Sequence, residues 1–216
     1  MNAAPVGIVP TSRTGTLALA AVVVVLLATA AGCMPWPRTQ FVPRVPVQQL
    51  VGSGCALNAH VPVGARLPLG RATAIVRVGE HQGRGFVELQ LDVPAGTTLR
   101  LEDAAIALRA PAPAAVSTAR FTAISLVDAP IVNHFSPVAA VRALQRPVDT
   151  PMVGGEIAAG ASASARHYWL AAYIDLPLAP AFELELPALR AQDGSVHRLR
   201  LGFEARTVMA VAVINC

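Results

Sequence analysis

The sequence predicts an all-β protein, folded as an antiparallel β-sandwich of about eight or nine strands. Apolar and polar residues alternate in several short runs, most clearly from Val87 to Val93, where Val and Leu alternate with Glu, Gln and Asp. Gly and Pro residues separate these runs, and downstream of residue 35 no long run has the period of an amphipathic helix. Many short alternating runs with turn residues between them are typical of sandwiches and barrels.

The first segment of the chain, residues 1–32, is predicted to be a signal peptide. The run from Leu17 to Ala28 is apolar throughout, and Arg13 is the one basic residue before it. A helix that spans a bilayer needs about 20 apolar residues, whereas the apolar part of a signal peptide needs about 7–15. The length of the run therefore favours a cleaved targeting segment over a membrane-spanning helix.

A motif of small residues ends this segment, Ala30-Ala31-Gly32-Cys33. It resembles the lipobox of bacterial lipoproteins, with Ala30 where that family most often has Leu. The resemblance implies that the Cys33 thiol receives a diacylglyceryl group, that the chain is cut before Cys33, and that the new N-terminus is acylated, typically with palmitate. Two or more acyl chains give stable membrane attachment. Ordinary cleaved secretion and an uncleaved anchor are the alternatives.

The residue after Cys33 bears on the location that this resemblance implies. In Gram-negative lipoproteins an Asp at that position typically retains the protein in the inner membrane, and here the residue is Met34. The resemblance therefore implies a lipid-anchored, periplasm-facing protein of the outer membrane if the organism is Gram-negative. In any other organism it implies attachment to the extracytoplasmic surface of the membrane.

Two more cysteines, Cys55 and Cys216, are left as an even pair in an oxidising compartment. We predict a disulfide between them, which would close a loop of about 160 residues and stabilise the fold by about 5 kcal/mol. A metal or catalytic thiol is the alternative, but neither cysteine has a His or a second Cys at ligand spacing. The Pro-rich residues 33–54 are predicted to be an extended spacer, and residues 55–216 form the predicted sandwich domain.

The strands of the domain follow from alternation and turn residues. Asp193-Gly194 predicts a tight hairpin between two alternating runs. Residues 136–145 predict two helical turns, and residues 152–165 predict a long flexible loop. An immunoglobulin-like or similar sandwich accommodates this pattern. The predicted strands are 72–78, 87–93, 99–101, 105–109, 119–127, 166–176, 181–186, 197–204 and 207–214.

Charge and composition exclude several function classes. All 17 basic residues are Arg, and the formal net charge is +4. Without Lys the chain cannot contain a Schiff-base lysine or the lysine of a phosphate-binding loop. The Arg residues are dispersed rather than gathered in a stripe with aromatic residues, so we expect no nucleic-acid partner. The five His residues are far apart in sequence and form no local metal motif, so we predict no metal and no cofactor.

One predicted strand carries a candidate patch for a ligand or a partner. Alternation over 166–176 places His167, Trp169, Tyr173 and Asp175 on one face and an apolar set on the other. Aromatic side chains among polar groups suit a binding platform. The alternative is that Trp169 and Tyr173 pack inside the protein and form hydrogen bonds through their polar tips.

The sequence contains no catalytic motif, so we expect a lipid-anchored cell-envelope protein that acts as a binding or structural module. Its expected partners are the membrane, through the lipid anchor, and other envelope proteins. One alternative is a periplasmic hydrolase with a site assembled across strands near His134 or His167. Another is a module that binds a glycan or a small ligand through Trp169 and Tyr173. Whether the chain is an enzyme stays open, with a non-enzymatic role favoured.

Overall fold

The computed structural model of the protein describes residues 36–52, 62–81, 83–111, 116–127, 145–148, 150–161, 164–174 and 178–210. These residues form sixteen strands and one 3-10 turn at Val47–Gln49, and no α-helix occurs among them. All strand pairs are antiparallel, which confirms the predicted all-β class. The strands are β1 (Trp36–Pro43), β2 (Leu50–Gly52), β3 (Pro62–Leu69), β4 (Ala72–His81), β5 (Arg84–Val93), β6 (Thr97–Leu101), β7 (Ala105–Arg109), β8 (Val116–Arg120), β9 (Ile124–Val127), β10 (Gln145–Pro147), β11 (Glu156–Ala159), β12 (Arg166–Ile174), β13 (Ala181–Glu185), β14 (Leu189–Ala191), β15 (Val196–His197) and β16 (Arg200–Ala210).

The strands are arranged in three sheets. Sheet A has five strands in the order β1-β16-β13-β7-β8, and sheet B has seven in the order β10-β9-β12-β5-β4-β3-β2. Sheet C has four strands in the order β11-β6-β14-β15. This arrangement is consistent with the predicted sandwich. The described residues form sixteen strands, whereas the sequence predicted about eight or nine. Short strands such as β2 and β14 were not predicted, since three residues are too few to show alternation.

One large apolar core contains side chains from all three sheets. In sheet A, the rings of Phe41, Phe182 and Phe203 form a cluster with centroid distances of 5.7 and 5.5 Å. In sheet B, the alternating residues of β5 point into the core as the sequence predicts, and all are fully buried. These β5 residues are Val87, Leu89, Leu91 and Val93.

The structure corrects the prediction of a spacer at residues 33–54 for the part that it describes, residues 36–52. Strand β1 pairs with β16 along its whole length, from Trp36 opposite Ala210 to Pro43 opposite Phe203. Phe41, within β1, is buried in the core. The folded region therefore includes β1 and β2. The prolines of β1 are tolerated because this strand lies at the edge of sheet A, where a missing N–H need not break a ladder of hydrogen bonds.

Two more segments differ from the sequence prediction. The predicted loop at 152–165 contains β11, which pairs with β6 and buries Ile157. Gly and Ala residues around Ile157 have low β propensity and hide the alternation. Strand β3 was not predicted because it contains Pro62 and Pro68. Among the described residues, β2 pairs with β3 only as far as Ala65, so Pro68 needs a ladder partner only on the β4 side.

The predicted hairpin at Asp193-Gly194 is confirmed. It joins β14 to β15, and Gly194 has a φ of +84°, a backbone conformation that favours glycine. The Asp193 carboxylate accepts a hydrogen bond of 2.9 Å from the backbone N–H of Ser195, which closes the turn.

Several predicted features lie outside the described residues and stay predictions. They are the signal peptide, Cys33, Cys55, Cys216, His134, Asp175 and nearly all of the two helical turns at 136–145. Within the part of the chain that the structure describes, no helix is long and apolar enough to cross a membrane.

Candidate functional site

The candidate site lies on the face of sheet B that is turned away from the main core. Strand β5 is buried on both faces over most of its length, so its polar residues Glu88 and Gln90 are covered as well as its apolar ones, and Asp92 is partly buried. Cross-strand partners share a face of a sheet. The register places polar residues of β4 and β12 beside those of β5, and Ser125 of β9 beside Trp169 of β12. We call this set the polar row. Its members are Arg77, Glu88, Gln90, Asp92, Ser125, His167 and Trp169.

Glu88 is the most strongly perturbed ionisable group of the polar row. Its residue is 6% exposed, and burial raises the pKa of its carboxyl to about 7, although the charge of Arg77 acts in the opposite direction. Arg77 lies directly opposite Glu88 on β4. Burial also lowers the pKa of Arg77, which Glu88 and Asp92 partly counteract. Glu88 is therefore a group that changes charge near neutral pH inside the protein.

Asp92 and His167 form the second charged element of the polar row. The Nδ1 atom of His167 lies 2.8 Å from Oδ1 of Asp92, and these side chains are 16% and 22% exposed. Gln90 donates a hydrogen bond of 2.7 Å to the same carboxylate oxygen. When the His167 ring is neutral, the bond to an ionised carboxylate places the proton on Nδ1, and Nε2 then has the free lone pair. This end of the row is partly open to solvent.

Trp169 lies between the Glu88–Arg77 pair and the Asp92–His167 pair. It is neither an open binding platform nor a packed ring with a hydrogen-bonded tip, the two alternatives that the sequence left. Its residue is 7% exposed and packs with Val127 and Ala171, so it is not an open platform. Its indole N–H, however, has no hydrogen-bond partner within the described part of the chain. Leaving a buried donor unpaired costs about 1–3 kcal/mol. The indole N–H of Trp169 is therefore a buried donor for which the described residues supply no acceptor.

Tyr173 lies at the other end of β12 and is 37% exposed. The guanidinium of Arg84 is 5.4 Å from its ring centroid, close enough for a cation–π contact. Its cross-strand partner Phe86 is buried and packs over Gly79, where a Cβ atom would lie 2.4 Å from the Phe86 ring. Of the four residues predicted for the patch, the structure places His167 and Trp169 in the polar row and Tyr173 at its margin.

The sequence did not single out Glu88, Gln90, Asp92, Arg77 or Ser125. The three residues of β5 alternate with apolar ones, which is the usual pattern of a strand with one solvated face. Only the register and the burial of the second face distinguish them. No signal in the sequence alone separates a covered polar face from a solvated one.

The polar row contains part of the machinery of a hydrolase but not a complete set. His167 and Asp92 have the geometry of a base and the group that orients it. Ser125 is opposite Trp169, and therefore diagonal to His167 across β9 and β12. No hydrogen bond joins Ser125 to His167 among the described residues, and those residues contain no cluster of His, Cys, Asp or Glu suited to a metal. The amides of these strands serve the ladder, so they are poorly placed for an oxyanion hole.

A second concave region lies on sheet C, with a volume of about 430 Å³. Arg100 and Arg190 face each other across β6 and β14 in this groove. Arg100 is 3.5 Å from Glu156, and Arg190 donates a hydrogen bond of 2.6 Å to Glu102. Each guanidinium thus has a carboxylate partner at an exposed position, and surface pairs of this kind contribute little energy. The polar row is the stronger candidate because its charges are buried.

No model of a known protein family and no curated protein sequence matches this chain.

Proposed function

We propose that the protein is a lipid-anchored component of the bacterial cell envelope whose β domain binds a partner or ligand at the polar row. The observation that carries this proposal is the burial of Glu88, Gln90 and Trp169 on the face of sheet B that is turned away from the core. Polar groups in that position reduce stability compared with apolar ones. Perturbed ionisable groups that are retained despite such a cost are typical of functional sites.

Accessibility supports entry at the ends of the polar row. His167 and Asp92 are partly exposed at one end, and Tyr173 with Arg84 is exposed at the other. A partner with a hydrogen-bond acceptor would satisfy the indole N–H of Trp169, and one with a cationic group would favour the ionised form of Glu88. The chemistry of the row thus fits a polar or zwitterionic partner.

The hydrolase alternative is supported by one observation, the bond between His167 and Asp92. Because Ser125 makes no hydrogen bond to His167 among the described residues, the binding role agrees better with the geometry. We place the protein on the periplasmic side of the outer membrane, or on the equivalent outer surface of another envelope, on the resemblance of Ala30-Ala31-Gly32-Cys33 to a lipobox.

The disulfide between Cys55 and Cys216 belongs to the same proposal. Strand β2 ends at Gly52 opposite Pro62, and the side-chain amide of Gln40 in β1 donates a hydrogen bond of 2.8 Å to the Pro62 carbonyl. The end of β2 therefore lies beside β1, the strand that pairs with the last part of β16. The few residues from Gly52 to Cys55 span at most about 11 Å, and those from the end of β16 to Cys216 about 20 Å. The two cysteines are within reach of each other.

Replacing Cys33 with alanine is expected to abolish both lipid attachment and processing. The thiol is the proposed acceptor of the diacylglyceryl group, so the Cys33→Ala variant should take up no labelled palmitate and accumulate as uncut precursor. Metabolic labelling followed by gel analysis measures both effects. The matched control is Cys55→Ala, which should be labelled and cut like the wild type. Normal labelling of Cys33→Ala would show that the anchor is assigned wrongly.

A photo-crosslinking amino acid at Tyr173 is expected to capture an envelope partner. Tyr173 is exposed at the margin of the polar row, so a bound partner lies within reach of the probe. The experiment is done in intact cells, and the crosslinked product is read by size and mass spectrometry. The control position is Val116, which is 52% exposed on the edge strand of sheet A. Equal products from both positions, or none from position 173, would contradict binding at the polar row.

A further inference from the structure

The first and last described strands form a ribbon that extends beyond the rest of sheet A. Strand β13 pairs with β16 only from Arg200 to Glu204, with one more hydrogen bond from the Ala205 N–H to the Pro180 carbonyl. Beyond that point β1 is the one described strand that pairs with β16. We call residues 36–40 and 206–210 the terminal ribbon.

One face of the ribbon leaves the core, whereas the other is partly buried, with the Gln40 side chain bonded to the Pro62 carbonyl of β3. Side chains on one face of β1 and β16 are buried in the core at Phe41 and Phe203. The same face continues as Pro37, Thr39 and Thr207, which are exposed, and ends at Met209, which is 56% exposed. The five residue-to-residue steps from Trp36 to Phe41 correspond to a length of about 17 Å. The core face of the sheet thus continues outside the core as an uncharged, solvent-exposed surface.

The junction between this ribbon and the proposed lipid anchor is short. Cys33 precedes Trp36 by three residues, so their Cα atoms are at most about 11 Å apart. A spacer of some twenty residues, as the sequence predicted, would allow the domain to move far from the bilayer in any orientation. Three residues that lead directly into a paired strand do not allow such movement.

We propose that the terminal ribbon is a stalk whose free end rests on the bilayer surface and holds the domain at a set height and orientation. This inference rests on the proposed lipidation of Cys33. The face ending at Met209 has no charged residue, which suits the region between lipid headgroups and chains. On the opposite face, which also includes Trp36 and Arg38, Arg206 lies 2.6 Å from Glu204, a carboxylate that Arg44 contacts as well at 3.1 Å. Trp36, the residue type favoured at membrane interfaces, is the first residue of the stalk.

The two tryptophans of the chain allow a direct test. Trp169→Phe leaves Trp36 as the one reporter, and Trp36→Phe leaves Trp169. The full lipoprotein, purified from membranes, is placed in phosphatidylcholine vesicles with or without bromine on the acyl chains. We expect Trp36 to lose roughly half or more of its fluorescence in the brominated vesicles, because it lies at the interface. The emission of Trp169 should not change, since that residue is 7% exposed.

A lengthened chain tests whether the short junction sets the position of the stalk. Inserting about ten Gly and Ser residues between Met34 and Pro35 adds a mean reach of about 17 Å. Quenching of Trp36 should then fall clearly, whereas the same insertion at the exposed hairpin tip after Gly194 should leave it unchanged. If Trp169→Phe does not fold, the quenching of Trp36 is obtained by subtracting the fluorescence loss of Trp36→Phe from that of the wild type.

The mass of the Cys33 peptide is read from the same samples, so that the two proposals are separated. Lipid on Cys33 with strong quenching of Trp36 supports the stalk. If Cys33 carries lipid and Trp36 is not quenched, or the lengthened chain is quenched as strongly as the native one, the stalk is overturned while the lipid-anchored function stands. An unmodified Cys33 overturns the anchor and the stalk together.

Discussion

Replacing Phe203 with alanine is expected to lower the free energy of unfolding by about 3–5 kcal/mol. The ring of Phe203 is fully buried and stacks on Phe182, with centroids 5.5 Å apart and planes 17° apart. Phe182 in turn contacts the ring of Phe41. Since Phe203 lies opposite Pro43 of β1 and Phe182 of β13, its loss leaves a cavity where three strands meet.

Denaturant unfolding followed by circular dichroism measures this effect. Val116→Ala is the matched control, because Val116 is 52% exposed on an edge strand and should change stability by less than about 0.5 kcal/mol. If Phe203→Ala were no more costly than Val116→Ala, the ring cluster could not be part of the core.

The central strands of sheet B could be predicted from the sequence, and the edges could not. The alternation of Val87–Val93 is regular because one face of β5 packs against the core. Strand β1 escaped prediction because its prolines are typical of a linker, and only pairing with a strand more than 150 residues away makes it part of the sheet. Distant pairing of that kind has no local signal. Local composition also hides two other strands, through the Pro and Gly residues within β3 and through the Ala residues and neighbouring Gly residues of β11.

The candidate site could be predicted only in part, for a similar reason. Alternation correctly places His167 and Trp169 on one face of β12. Their neighbours Asp92 and Gln90 come from β5, and the register between the two strands is set by tertiary packing rather than by either sequence. Whether that face is covered depends on the whole fold. The raised pKa of Glu88 therefore could not be anticipated from the pattern of its own strand.

The second large effect expected is a pH-dependent stability that Glu88→Gln removes. Burial raises the pKa of Glu88 from 4.5 to about 7. Between these two values the unfolded chain has lost the proton that the folded protein keeps, so the free energy of unfolding falls as the pH rises. The fall is about 1.4 kcal/mol per pH unit, or roughly 3 kcal/mol over the window. Below about pH 4.5 both states hold the proton, and above about pH 7 both have lost it, so the effect of Glu88 is then constant.

Gln resembles the protonated carboxyl in shape and has no charge to lose. Glu88→Gln should therefore match the wild type near pH 4.5 and exceed its stability by up to about 3 kcal/mol at pH 8. Denaturant unfolding at a series of pH values measures the difference. The control Glu156→Gln removes a carboxylate that is 55% exposed and 3.5 Å from Arg100, and it should shift stability by less than about 1 kcal/mol. A variant that keeps the wild-type slope between pH 4.5 and 7 would show that Glu88 is already ionised in the folded protein. In that case Glu88 would form an ordinary ion pair with Arg77, and the polar row would lose the feature that most distinguishes it as a binding site, the raised pKa of Glu88.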